Sequence, residues 1–446
     1  MASDTTISIS ELRSRFRGRV IAPGDSDYDE ARTVVYGGID RRPAVIVRVA
    51  DAQDVAKAVD EARATGIELA VRSGGHSLAG HSVSDGGLVI DLRDMKGLEV
   101  DVEGKTAWAE TGLTAGEFSS ALGEHGLAVG FGDTGSVGIG GITLGGGIGF
   151  LVRKFGMTID SLLAAEIVTA NGEVIHTDAD NHPDLFWAIR GGGGNFGVAT
   201  RFKFRLHKVG SIVGGMLFLP ASADIITGFM DAADSAPEEL SGIANVMVAP
   251  PLPFLPAELA GQLIVMAFLV YAGDAEAGER AIAPFRALAA PIMDMIRPMP
   301  YPEIFPPEDD SYHPTAASHT MFVDAIDRTT AETIIGYLES SDASLRVAQL
   351  RILGGAMARV GEDATAFAHR KSRIMVNVAA FYEGAEDLPR RQAWVDEFAG
   401  ALRQSDAGAY AGFLGDEGAE RVRAAYPGRT WDRLAAIKAK YDPHNL

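Results

Sequence analysis

Residues 70–92 read Ala70-Val-Arg-Ser-Gly-Gly-His-Ser-Leu-Ala-Gly-His-Ser-Val-Ser-Asp-Gly-Gly-Leu-Val-Ile-Asp-Leu92. One apolar run ends at Val71 and another starts at Leu88. The Arg72-Ser-Gly-Gly-His-Ser segment between them has the composition of a turn. Upstream, 42–49 reads as a strand. Asp51 then caps a helix whose apolar residues Val55, Ala58, Val59 and Ala62 keep helical spacing until Gly66 stops it. The stretch 42–104 is therefore expected to form a βαβ-like unit, with further strands at 67–71 and 88–92. Downstream, 106–110 and 198–206 read as strands, 114–125 and 184–190 as helices. Asn171-Gly172 joins 162–169 to 173–177 as a hairpin.

The chain has 52 glycines, concentrated at 130–149 and 191–197 with apolar residues interleaved. That pattern is not a linker; it lets backbone approach something closely or adopt positive φ. The 130–149 run is expected to be loop. Beyond Lys208 the glycine clusters stop, and strands are expected at 215–219, 243–249, 262–271, 318–323, 344–350 and 373–380 with helices between them. An antiparallel sheet covered by helices is the natural packing, giving an α+β chain. Prolines gather at 291–314, read as a loop or lid, and 407–446 returns to short strand and helix.

Composition narrows function. The 446 residues allow two or three domains. The net charge of −20 argues against nucleic acid and anionic membrane as partners. There is no cysteine, which excludes disulfides, thiolate metal sites and thiol nucleophiles. No signal peptide is visible in Met-Ala-Ser-Asp-Thr-Thr, and the most apolar stretch, 263–270, is too short to span a bilayer. A cytoplasmic location is the expectation.

Gly192, Gly194 and Gly197 satisfy G-x-G-x-x-G, but a helix precedes them and a strand follows, the reverse of a dinucleotide fingerprint. No phosphate-binding P-loop and no metal-ligand spacing is present. Gly75-His76-Ser77-Leu78-Ala79 resembles a nucleophile elbow, so a serine hydrolase using Ser77 is the alternative from another class. A structural role is the simplest reading of any single histidine. His76, however, follows small residues whose exposed amides suit a pyrophosphate.

The 43–92 stretch, with Arg72-Ser-Gly-Gly-His-Ser and Asp85-Gly-Gly-Leu-Val-Ile-Asp-Leu, resembles the flavin-binding region of the FAD-linked oxidases. These form the vanillyl-alcohol-oxidase (PCMH-type FAD-binding) superfamily, and the resemblance is to its berberine-bridge-enzyme-like branch. It continues through Thr134-Gly-Ser-Val-Gly-Ile-Gly-Gly-Ile-Thr-Leu-Gly-Gly-Gly-Ile-Gly, Arg153-Lys-Phe-Gly and Leu185-Phe-Trp-Ala-Ile-Arg-Gly-Gly-Gly-Gly-Asn-Phe-Gly-Val to Tyr441-Asp-Pro-His-Asn-Leu. The resemblance implies a PCMH-type FAD-binding domain over 1–208, completed by 405–446, and a substrate domain over 209–404. It implies FAD bonded through its 8α-methyl to His76. It also implies cofactor contacts from Arg72, Ser73, Gly74, Gly75, Ser77, His81, Thr134, Ser136, Val137, Gly138, Gly141, Gly146, Gly149, Val198, Tyr410 and Asn445. With no cysteine, a second covalent link is impossible.

Val137 stands where the family has its oxygen gatekeeper, and valine there resembles members that react with O₂; a flavin dehydrogenase using another acceptor is the alternative. The family's Tyr-x-Asn stretch reads Tyr410-Ala-Gly-Phe here, so Tyr410 and Tyr382 are the candidate bases. A phenol with its ordinary pKa of ~10 needs help to serve near neutrality. The wall offered by Met375, Val376, Val378, Ala379 and Ala380, with alternate side chains facing the flavin side, is expected to be apolar, favouring a small amine or aromatic alcohol over a sugar. The sequence ends at Asn445-Leu446, where the family pattern runs on with a phenylalanine. Oligomeric state is not legible.

Overall fold

The computed structural model describes residues 8–251, 255–306, 309 and 311–446; the N-terminal residues on which the leader reading rests lie outside them. The βαβ-like unit forms as its sequence directs. Val45–Arg48 leads into the helix Ala52–Thr65, capped by the Asp51 carboxylate on the Asp54 amide and ended by Gly66 at φ 70°. Leu69–Arg72 and Val45–Arg48 both pair in parallel with Leu88–Asp91, which lies between them, and Arg19–Ile21 closes the far edge antiparallel. A second sheet is antiparallel, in the order Leu98–Asp101, Thr106–Glu110, Val198–Arg205, Leu162–Val168, Val174–Asp178. The helix Ala115–Gly123 packs under it, held by a reciprocal cap between Thr114 and Glu117.

All six strands expected beyond Lys208 form, within one eight-stranded antiparallel sheet built by 211–381. One face buries Leu217, Val246, Leu350, Val376 and Val378 against the helices Ala223–Ser235, Ala275–Arg286, Arg328–Ser340 and Leu388–Leu402. The helices supply Phe229, Ile282, Ile334 and Phe398 to the same core.

Three expectations are corrected. The 130–149 run contains a helix, Ile139–Gly145: its glycines each cost about 1 kcal/mol of helix propensity, offset by burying Ile139 and Leu144. The proline-rich stretch is partly ordered as Met293–Asp294, Arg297–Pro300 and the 3₁₀ turn Tyr301–Ile304. Arg297–Pro300 pairs with only one strand, Ser211–Pro220, and an edge position is where proline's missing N–H is tolerated. The C-terminal part has no strand among its described residues; it is helical at Ala419–Ala425 and Arg429–Tyr441. Those helices pack Ala425, Tyr426, Leu434 and Ile437 into the core shared with Phe118, Phe131 and Phe202.

Candidate active site

The strand Leu69–Arg72 delivers the Ser73–Ser77 turn at the carboxyl end of the parallel sheet, where open α/β sheets place ligands. The turn lies close against the glycine run, with the Ser73 hydroxyl in the seam. A Cβ on Gly74 would stand 2.2 Å from the Gly138 nitrogen, and one on Gly138 would stand 2.2 Å from the Gly74 nitrogen. Ser73 ties the two together: its hydroxyl donates to the Thr111 carbonyl (2.6 Å) and accepts the Gly140 amide (3.3 Å). The run is pinned from behind, because the Ala115 and Gly116 amides donate to the Val137 and Gly135 carbonyls and Ile139 donates to Leu113.

Across this seam, His76 Nε2 lies 3.0 Å from Ser136 Oγ. Thr134 and Val137 flank Ser136 half-buried, and Val137 packs on the core under the loop. The Gly141 Cα faces open space, with no atom within 4 Å of where a Cβ would be. Gly146 and Gly149 are packing positions instead: a Cβ would meet Met157 at 2.6 Å and the Phe131 carbonyl at 1.5 Å.

Other predicted site residues have structural partners. The Arg72 guanidinium turns away from the seam onto buried Asp91 (2.9 Å) and the Ala31 and Thr33 carbonyls. Burial opposes ionisation of Asp91, but Arg72, Arg93 and Arg48 outweigh it and hold its carboxyl below the usual range. Val198 is core, paired with Val168. Asn445, at φ 53°, sits beside Leu446, which packs on that same core. His81 is exposed, and its amide donates to the Ser77 hydroxyl. No helix follows Ser77, since 73–87 runs through bends and turns. The elbow that a serine nucleophile needs is therefore not built.

Opposite the glycine run stands the other face of the large sheet. Strand register sets Asn245 beside Gln349, Gln349 beside Asn377, and Asn377 beside Thr320. The expected apolar wall is corrected by this alternation. Val376, Val378 and Ala380 belong to the helix-covered face, and only Met375 and Ala379 share the Asn377 face. Side-chain amides link the row. Asn245 donates to the Met266 carbonyl (3.1 Å), Gln349 to Asn245 Oδ1 (2.9 Å), and Arg351 Nε to Gln349 Oε1 (2.9 Å). Arg351 then reaches the glycine run, donating to Asp133 Oδ2 (2.5 Å) and the Ile148 carbonyl (3.3 Å). Buried Asn377 Oδ1 and Thr320 Oγ1 have no hydrogen-bond partner among the described residues.

Neither tyrosine sits as a base would. Tyr410 is buried beneath the glycine run, with its hydroxyl accepting the Gly147 amide (3.0 Å), and burial pushes its phenol up. Tyr382 stands at the rim beside Gly38, and burial raises it too. Asp133, Arg351, Asn245 and Gln349 escaped the sequence reading; Arg351, following Gln349 by two residues in the strand Arg346–Ile352, was the available signal.

The two walls are strapped together by residues of the Arg153-Lys-Phe-Gly segment. Arg153 donates to the carbonyls of Ala233, Ala236 and Leu240, and Lys154 to that of Ala272. A cofactor-loop fold joined in this way to a sheet that carries its own polar row has the build of a two-part redox enzyme. Residues 43–178 match the FAD binding domain family, and the molecule is an FAD-linked oxidoreductase.

The chain is 31% identical to (R)-6-hydroxynicotine oxidase of Paenarthrobacter nicotinovorans, over 96% of this chain and 95% of that one. It is 28% identical to xylooligosaccharide oxidase of Thermothelomyces thermophilus, over 91% and 86%. The solved 6-hydroxy-D-nicotine oxidase of Arthrobacter nicotinovorans superposes with a TM-score of 0.86 at 30% identity, covering 96% of each chain. Physcomitrella patens BBE-like 1 shares the fold, with a TM-score of 0.87 at 23% identity over 98% and 97%. The chain belongs to the family of FAD-linked oxidases that includes (R)-6-hydroxynicotine oxidase. No helix among its described residues is long and apolar enough to cross a membrane.

Proposed function

We propose that this chain is an oxidase that holds FAD through one covalent bond to His76 and oxidises a small amine or alcohol with O₂ as acceptor, releasing H₂O₂. The observation that carries the reading is His76 Nε2 at 3.0 Å from Ser136 across the glycine seam. A histidine in that place has its imidazole at the seam where the two glycine-containing segments approach each other. FAD held there would supply the two-electron acceptor that the oxidation needs, with O₂ as the final acceptor.

The residues around the seam fit such a group. Ser136 orients the imidazole, Gly141 leaves room, and the Thr134–Gly138 loop is held by backbone bonds that no substrate has to reorganise. Val137, half-buried on that loop, would control the approach of O₂. In this reading 1–208 and 405–446 hold the cofactor and 209–404 the substrate, in line with the core shared by Phe202 and Ile437. The cytoplasm is the proposed location.

The test uses purified holoenzyme. Yellow colour that stays with acid-precipitated protein, and is released in His76→Ala, supports the covalent link. Anaerobic flavin bleaching by benzyl alcohol or (R)-6-hydroxynicotine, faster than by xylobiose, followed by H₂O₂ on admitting air, supports the rest. Faster bleaching by xylobiose would overturn the substrate class, and reduced flavin persisting in air would favour the dehydrogenase.

A further inference from the structure

We infer that Asp133 is the group that accepts the substrate's proton, with Arg351 as the residue that positions it; the inference rests on the oxidase reading above. An oxidation of this kind needs somewhere for an O–H or N–H proton to go. The polar row on the sheet face, Asn245, Gln349, Asn377 and Thr320, holds no group that takes a proton near neutrality. The Tyr410 hydroxyl is enclosed beneath the glycine run and accepts the Gly147 amide.

Asp133 differs from all of these. It is a carboxylate three residues from Ser136 on the loop that meets His76, and it is the contact between that loop and the polar row. Its Oδ2 is fixed by Arg351 at 2.5 Å, whereas Oδ1 has only the Thr134 hydroxyl, at 3.4 Å, among the described residues. Its side chain keeps 26% exposure while that of Arg351 keeps 4%. Arg351 is itself immobilised by the Gln349 side chain, the Ile148 carbonyl and the Phe413 ring, 5.0 Å from its guanidinium carbon. Asp133 is thus aimed before substrate arrives, which spares reorganisation during the reaction. Among the described residues, Tyr36, Tyr410 and Arg351 are charged or titratable groups around it, with His76 beyond Ser136.

For an alcohol, the O–H proton passes to Asp133 Oδ1 while the carbon's hydrogen leaves with the C–H electron pair as hydride, which a bound flavin would accept, and C–O becomes C=O. For an amine the N–H proton takes the same route and C=N forms. Two electrons leave with the hydride, and the carboxylate becomes the neutral acid.

The experiment compares wild-type holoenzyme with Asp133→Asn and Asp133→Glu. Without substrate, the flavin absorption spectrum is titrated in the acid range. A one-proton spectral transition in wild type that is lost in Asp133→Asn and kept in Asp133→Glu is the expected result. With benzyl alcohol and (R)-6-hydroxynicotine as probes, anaerobic flavin reduction is expected to slow about 100-fold in Asp133→Asn and to recover to within about 10-fold of wild type in Asp133→Glu. Thermal unfolding of each variant separates this from a purely structural ion pair. Wild-type reduction rates in Asp133→Asn, or a flavin titration that it leaves unchanged, would overturn the assignment. Failure of both probes to reduce the wild-type flavin would instead count against the oxidase reading, and the spectral titration would still decide whether Asp133 faces the cofactor.

Discussion

The wall that carries His76 and the wall that carries Arg351 meet at the Asp133–Arg351 ion pair, yet their rigidity has different sources. The first is backbone on backbone: Gly74 and Gly138 approach so closely that a methyl group on either would overlap the other's nitrogen. The second is side chain on side chain, a relay from Asn245 through Gln349 to Arg351 laid over a continuous sheet. A wall made of backbone has no side chain to vary and so keeps one geometry for one cofactor. A wall made of side chains on a stable sheet can change residue by residue, which suits it to setting the substrate.

The comparison breaks first, and hardest, at the seam. Gly74→Ala is expected to give little folded holoenzyme and to cost at least about 3 kcal/mol, read by thermal unfolding and flavin content. Gly141→Ala, with open space where its Cβ would go, is expected to keep its thermal stability and lose flavin occupancy. Equal behaviour of the two variants would erase the distinction between packing and cofactor-facing glycines.

The loop wall also carries an acid-sensitive histidine. His207, stacked on Phe155 and 2.8 Å from Ser161, is pushed down to about 4 by burial, helped by Arg205. Its folded value lies below its unfolded one, so the unfolded chain binds more protons between about pH 6.5 and 4, and stability falls as pH drops through that window. Wild type is expected to lose about 2 kcal/mol more than His207→Gln over this range in denaturant titrations.

Smaller effects sharpen the account of each wall. Val137→Leu is expected to slow flavin reoxidation about 10-fold, near 1.4 kcal/mol, with reduction unchanged in stopped flow. On the sheet, Gln349→Ala removes one anchor of Arg351 and is expected to cost about 1 kcal/mol of stability while raising KM for the amine and alcohol probes. A change confined to kcat would place Gln349 on the proton path instead.

These walls also differ in how legible they are. The His76 turn could be read because its requirements are local: a strand end, small residues and a histidine, all within Arg72–Ser77. The Asp133–Arg351 contact joins residues 218 apart and exists only once the strand register is set. Asn377 was visible as the polar residue of its strand, but which neighbours shared its face depended on pairing with Gln349 and Thr320. That alternate residues of 374–381 face the site could be read from the pleat, but which set does so depended on the helices that cover Val376, Val378 and Ala380. The helix Ile139–Gly145 was hidden for a related reason, since its stabilisation comes from tertiary burial against the sheet and not from its glycine-rich sequence.

The central claim is that the histidine at the seam carries the cofactor. Trypsin releases Ser73 to Arg93 as one peptide, which holds both His76 and His81. Mass spectrometry of the digested holoenzyme is expected to find this peptide heavier by one flavin nucleotide, with fragment ions placing the addition on His76. Flavin on His81, on any other peptide, or released intact by acid would contradict the account.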